Sequence, residues 1–187
     1  MKAKKLKIAL LANDDLLNGP SLAQFRFAKS LSDNNLNVDL IIANRSFVND
    51  LSRFDDGKIN FINLKKKRTI YLIWPLIKYL RTFKPDIVFS AGDHLNLILI
   101  ISTLLCFTKC KLSLSSRVSP FDTYQNKSKS EFNSFFKSKI MFYLFKLISW
   151  RADVLTCVSN DMVKQYQLVF GKTKHVCVYN IIKDEDS

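Results

Sequence analysis

Glycine, histidine and glutamate are scarce in this chain of 187 residues, which holds four glycines, two histidines and two glutamates. With so little glycine there is no G-x-G-x-x-G after the first apolar run, and a dinucleotide cofactor such as NAD is not expected. Four cysteines, Cys106, Cys110, Cys157 and Cys177, are too thinly spread for a disulfide scaffold and read as core thiols of a reducing compartment. Only His94 and His175 are there to complete a zinc site, and the Cys106–Cys110 pair closes an apolar run rather than a turn-rich knuckle, so no metal is expected. Long apolar stretches are missing too. The longest, Leu95–Phe107, is interrupted by Asn96 and falls short of the roughly 18–20 residues that span a bilayer. The basic start Met1–Lys7 is followed by only Ile8–Ala12 before Asp14 and Asp15, short of the roughly 7–15 residues of a signal core. A cytoplasmic protein is expected.

What the chain has in quantity is apolar residues, 48%, and positive charge, 29 Lys and Arg against 16 Asp and Glu. The first figure is globular composition and enough for one core of ordinary size. The net charge of +13 implies an anionic neighbour such as nucleic acid, acidic lipid or phosphate. The surplus is regional, because residues 57–151 hold 17 basic and 4 acidic residues while the remainder balances.

Short continuous apolar runs that end in polar turns are the mark of strands buried on both faces. Lys7–Ala12, Val38–Ala43, Asp86–Ser90, Lys111–Ser115, Asp153–Cys157 and His175–Tyr179 read this way, and Lys58–Leu64 alternates with period two. Between them the spacing predicts helices: Pro20–Asn34, Thr69–Phe83 begun or kinked at Pro75, Leu95–Cys106, Phe135–Trp150 and Ser159–Phe170, the last closed by Gly171. A polar connector with one helical turn at most joins the second and third strands, and Arg117–Ser134 is the longest loop. Strands alternating with helices require a doubly wound, mostly parallel α/β sheet of about seven strands with helices on both faces. Ligands of such sheets bind beyond the carboxyl ends of the strands, at the loops around Asn13–Ser21, Ala91–Leu95, Ser116–Ser134, Ser159 and Asn180.

The ordered motifs in those loops resemble the amino-terminal half of GT-B glycosyltransferases of the family-4 type. Asn18-Gly19-Pro20-Ser21 followed by Phe25-x-x-Ala28-x-x-Leu31 is similar to that family's first glycine-bearing loop and helix. Asn37-Val-Asp-Leu40 and Lys84-Pro-Asp-Ile-Val88 resemble its second and fourth strands, and Arg151-Ala-Asp-Val154, Cys157-Val-Ser159 and Val178-Tyr-Asn180 its closing series. The family has a double glycine where Asn18-Gly19 stands, followed by a charged residue where this chain offers Pro20-Ser21-Leu22. The resemblance implies a Rossmann-like domain over residues 1–180, with 181–187 as linker or tail. It further implies a nucleotide sugar as donor substrate, no other cofactor, retention of anomeric configuration, and an acceptor that is a sugar or lipid-linked glycan. The donor-binding domain with its Glu-x7-Glu motif has no counterpart here, since Glu131 and Glu185 cannot form it. The chain is therefore expected to be inactive alone and to need a second domain or a separate donor-binding chain.

Glycosyl transfer needs a stabilised leaving diphosphate, a positioned acceptor hydroxyl and exclusion of water. Gly19, Pro20 and Ser21 are candidates for a donor-phosphate loop at a helix start, or are only a turn and helix start. Asp93 and His94 are candidates for catalysis, Asp93 by capping a helix and His94 by facing the cleft; a solvent-exposed first-turn imidazole stands beside that reading. Arg117 is placed to pair with a phosphate of a polyprenyl-linked acceptor, or holds its loop. Ser119, Ser159 and Asn180 complete the candidate acceptor set, although Ser159 as a helix cap and Asn180 as a strand end read equally simply. Phe135, Phe136, Met141, Phe142, Phe145 and Ile148 make a wide apolar helix face, with Lys137, Lys139 and Lys146 beside it. That face suits core packing or an interfacial helix on an anionic membrane, and nucleic acid is an unlikely partner because stacking needs exposed aromatics.

Overall fold

The computed structural model describes residues 5–13, 19–43, 57–66, 68–122, 132–171 and 173–179, the side chains of 132–138 excepted. Seven strands, β1 (Lys7–Ala12), β2 (Asn37–Ile42), β3 (Asn60–Asn63), β4 (Ile87–Ala91), β5 (Lys111–Ser116), β6 (Val154–Cys157) and β7 (His175–Cys177), form one sheet in the order β3-β2-β1-β4-β5-β6-β7. Every pairing is parallel. The helices are α1 (Gly19–Asp33), α2 (Ile73–Phe83), α3 (Asp93–Cys106), α4 (Phe132–Ile148) and α5 (Asn160–Phe170). The expected doubly wound α/β architecture is therefore present. Among the described residues no helix is long and apolar enough to cross a membrane.

The apolar runs are continuous because alternate residues enter two different cores. Ala9 and Leu11 of β1 join Leu72, Leu76, Leu80, Leu99 and Ile100 from α2, α3 and the turn before α2. Ile8 and Leu10 join Phe25 and Ala28 of α1 on the opposite face. A residue buried on either side loses water either way, so neither face needs polar spacing. The outer strands are shorter than their sequence runs. β3 pairs only with β2, and its ladder starts at Asn60 rather than Lys58; β7 pairs only with β6 and ends at Cys177, although the Val178 N–H still donates to the Cys157 carbonyl at 2.8 Å.

Helix boundaries shift for local reasons. A short 3-10 turn, Thr69–Leu72, precedes α2, and Pro75 sits in the helix's first turn, where its missing N–H costs nothing. α3 begins at Asp93, two residues earlier than its apolar stretch suggests, because Gly92 supplies the turn at φ +105° that a side chain rarely adopts. α4 begins at Phe132, three residues before the predicted start. The connector between β2 and β3, and the middle of the loop after β5, lie outside the described residues.

Three aspartates of the ordered motifs tie the scaffold together rather than face a ligand. Asp86 accepts from the Lys7 N–H at 2.9 Å, and Asp153 from the Leu112 N–H at 2.9 Å and Lys111 Nζ at 2.8 Å. Asp39 accepts from Tyr79 and from Asn60 Nδ2. Burial, with the Asp39 bond adding to it, raises the Tyr79 phenol's pKa well above its ordinary value and keeps it a donor. Asp86 and Asp153 lie at the amino-terminal ends of β4 and β6, the end of the sheet away from the ligand rim.

On the α4 face the predicted apolar stripe packs inward where it is described. Phe145 is buried, Met141, Phe142 and Ile148 are half-buried, and Phe142 stacks on Phe170 of α5 at 4.8 Å.

Candidate functional site

The strand order reverses between β1 and β4, whose neighbours run off in opposite directions, and that switch point leaves a crevice at the carboxyl ends. A hollow of about 220 Å³ lies there. Its walls are Ala12 and Asn13 after β1, Pro20, Ser21 and Gln24 on α1, Thr69 before α2, and Ala91, Gly92, His94 and Leu95 where β4 passes into α3; Arg117 and Val118 after β5 close it. The topology thus brings together four of the candidate residues, Pro20, Ser21, His94 and Arg117, from three separate loops. Gly19 is the exposed first residue of α1 and is not part of the lining; a Cβ built on it would meet nothing within 4 Å.

Each group in the hollow has its own physical setting. His94 is exposed in the first turn of α3, and Ser21 is buried in the first turn of α1. Both helices point their amino-terminal N–H groups toward this end, which favours negative charge. Arg117 is half-buried, and burial lowers its pKa from the ordinary value. A guanidinium partly withdrawn from water gains more from an anionic ligand than a fully solvated one.

Gln24 is a residue the sequence reading passed over. It is 4% exposed, and its Oε1 is buried with no hydrogen-bond partner among the described residues. The signal was available: Ser21, Gln24, Ala28 and Ser32 share the buried stripe of α1, and a primary amide on such a stripe requires either a partner or a ligand.

Asp93 sits behind the hollow and not in its lining. The residue is 6% exposed, and its carboxylate accepts from Ser116 Oγ at 2.8 Å and from the hydroxyl of fully buried Tyr166 at 2.9 Å. The N-cap of α3 is Gly92, so Asp93 is the helix's first residue and its side chain is turned to β5 and α5 instead of capping. The Tyr166 ring lies against His175 at 4.4 Å between centroids. Both His175 ring nitrogens are buried with no hydrogen-bond partner among the described residues, and burial pushes its pKa down to about 4, so the ring is neutral. Burial, helped by the Asp93 charge, pushes the neighbouring Cys157 thiol up to about 12 and makes it inert.

Ser119 and Ser159 are not in the lining of the hollow. Ser159 is the N-cap of α5 and accepts from the Met162 N–H at 3.2 Å. Ser119 accepts from the Phe121 N–H at 3.2 Å in the loop after β5. Asn180 lies outside the described residues. No group of three His, Cys, Asp or Glu side chains among the described residues is arranged to hold a metal ion.

No family model and no curated protein sequence matches this chain. Solved structures do. The lipopolysaccharide outer core galactosyltransferase WaaB, in its apo form, superposes with a TM-score of 0.66 at 12% identity over 97% of this chain and 47% of that one. HepE from Anabaena in complex with UDP gives 0.62 at 13% identity over 94% and 44%. UDP-N-acetylglucosamine 2-epimerase from Rickettsia bellii gives 0.57 at 15% identity over 95% and 45%. The chain has the α/β fold of the GT-B glycosyltransferases and spans less than half the length of these neighbours.

Proposed function

We propose that this chain is the acceptor-binding half of a family-4-like glycosyltransferase that moves a sugar from a nucleotide sugar to a glycan or lipid-linked acceptor in surface-polysaccharide assembly. The observation that carries the reading is the single switch-point hollow holding an imidazole, a half-buried guanidinium and a helix amino terminus. The likeness in fold to enzymes of sugar nucleotides supports it. In this reading His94 hydrogen-bonds the acceptor or the transferring sugar, and Arg117 takes a phosphate of the acceptor. Pro20 and Ser21 present the start of α1 to the donor diphosphate. Asp93, bonded to Ser116 and Tyr166, is a positioning residue that fixes the turn carrying His94. Ser119, Ser159 and Asn180 border the acceptor at most, the first two being engaged in their own loops.

Half of one sheet face supports the need for a further domain or a separate donor-binding chain. All-parallel sheets are covered on both faces. Here α1 packs over β1, β2 and the edge of β4, where Phe27 meets Phe89 edge-on at 5.0 Å. Beyond it a groove of about 260 Å³, walled on one side by Ala23, Gln24 and Phe27 of α1, runs over Ser113, Ser115, Val154, Thr156 and Val178, and no second helix packs on those strands from this side among the described residues.

The test is binding and turnover with purified chain. A short-chain polyprenyl diphosphate sugar should bind, and Arg117→Gln and His94→Gln should each weaken it by about tenfold, the worth of a lost charge-assisted or buried hydrogen bond. The same chain given nucleotide sugar and acceptor should form no product. Equal binding by both variants, or transfer by the isolated chain, would overturn the proposal.

A further inference from the structure

The turn before α2 and the first turns of that helix place large apolar side chains where nothing among the described residues covers them. Ile70 is 62% exposed, Tyr71 59% and Trp74 77%. The same segment buries Leu72, Leu76, Ile77, Tyr79 and Leu80 against the sheet and α3, so its inward stripe is already satisfied. Ile70, Tyr71 and Trp74 are therefore an outward stripe of their own. They surround a shallow depression completed by Lys66, Pro75 and Lys78.

Charge around that stripe has one sign. Lys65, Lys66, Arg68 and Lys78 are all exposed, and no ion pair holds any of them among the described residues. From Gly57 to Pro85 the sequence contains no Asp or Glu at all. Apolar side chains ringed by long cationic ones match one kind of partner: a bilayer whose headgroups are anionic. The aromatic and aliphatic groups enter the headgroup–acyl boundary while the lysine and arginine stems reach back to the phosphates. A protein partner of acidic character would satisfy the cations but leaves an indole and an isoleucine with no stated counterpart.

We infer that the Ile70–Tyr71–Trp74 stripe with Lys65, Lys66, Arg68 and Lys78 is an anionic-membrane docking surface. The sequence pattern suits the apolar face of the Phe135–Trp150 helix to core packing or to an anionic membrane; where its side chains are described that face packs on the core, and the outward residues Tyr143, Leu147 and Trp150 are a separate surface. The docking surface adjoins the candidate site, because Thr69, one residue before Ile70, lines the switch-point hollow. Docking there brings the mouth of the hollow to the headgroup layer, where a lipid-borne acceptor presents its phosphate. That last consequence rests on the function proposed above, whereas docking itself does not.

The experiment is cosedimentation of the full chain with vesicles of phosphatidylcholine alone and of phosphatidylcholine with one-third phosphatidylglycerol. Binding is expected only to the anionic vesicles, and should fall as salt is raised from about 0.1 to about 0.5 M. Ile70→Ser/Tyr71→Ser/Trp74→Ser and, separately, Lys65→Gln/Lys66→Gln/Arg68→Gln should each lower the partition coefficient by about tenfold or more. Circular dichroism should show both variants folded, since every substituted residue lies outside the core. Tyr143→Ser/Leu147→Ser should bind as the parent does. Equal binding to neutral vesicles, loss only in the Tyr143/Leu147 variant, or equal salt-sensitive binding to duplex DNA would overturn the inference. Failure of the sugar-binding test with vesicle binding intact would remove the glycosyltransferase reading and leave the docking surface standing.

Discussion

His175 is the residue whose environment has the clearest energetic consequence. A ring held neutral, with a folded pKa of about 4 against an ordinary value of 6.5, binds its proton later than the unfolded chain does. Above pH 6.5 both states are neutral and the group has no effect. As pH falls from 6.5 to 4 the unfolded state is protonated first, so stability is lost, by something on the order of 3 kcal/mol. His175→Phe keeps an aromatic ring against Tyr166 and removes the proton. Urea denaturation at several pH values should show the slope between pH 6.5 and 4 flatten in the variant; a parallel slope would mean His175 is hydrated. Asp93 makes a related point. Its charge, its place in a first turn and its neighbour His94 all suit a cleft, yet both its oxygens are occupied behind the hollow. Nothing local announces Tyr166, 73 positions away.

At the scale of the element, caps and staples do what the core cannot. Ser159 satisfies the Met162 N–H at the start of α5, so Ser159→Ala should cost about 1 kcal/mol and Ser159→Asp should restore it, read as denaturation midpoints. Asp153 joins β5 to β6. Its burial opposes ionisation, but the Lys111 ammonium and the Leu112 N–H outweigh that and hold its carboxyl below the ordinary carboxylate range. Its contribution is present above the unfolded value of 3.8 and is lost as pH falls through the lower folded value, a window separate from that of His175. Asp153→Ala leaves the N–H of buried Leu112 without its acceptor and should cost about 1–3 kcal/mol at neutral pH. A cost below a few tenths in thermal unfolding would show that water replaces the carboxylate freely. These aspartates were legible in the sequence as motif letters. Their task was not, because a staple is defined by the strand it reaches.

The whole molecule has one sheet with unequal faces. α2, α3, α4 and α5 pack on the core shared with Leu99 and Leu155, whereas among the described residues α1 alone covers the other side. Val154, Val176 and Val178 are 42%, 50% and 55% exposed on the uncovered half. Val154→Lys/Val178→Lys should therefore leave the thermal midpoint of the isolated chain within the range of ordinary surface changes, about 0.5 kcal/mol either way. A loss of several kcal/mol would show that this chain covers the face itself. In the proposed function, where a donor-binding partner covers this face, the same variant should fail to associate with that partner, measured by analytical ultracentrifugation.

The sequence by itself determined the seven strands, their helices and the parallel class, because a strand buried on both faces must be apolar at every step and a helix must repeat its apolar stripe. It also marked Pro20, Ser21, His94 and Arg117 as rim residues, since each follows a strand's carboxyl end. Only the tertiary structure decided that these four line one hollow, that Asp93 turns to Tyr166, that Gln24 is buried beside them, and that Trp74 faces outward. Periodicity records which side of an element is apolar. Which neighbour that side meets is set by strand order and crossover, and those join residues too far apart in the chain for any local pattern to hold.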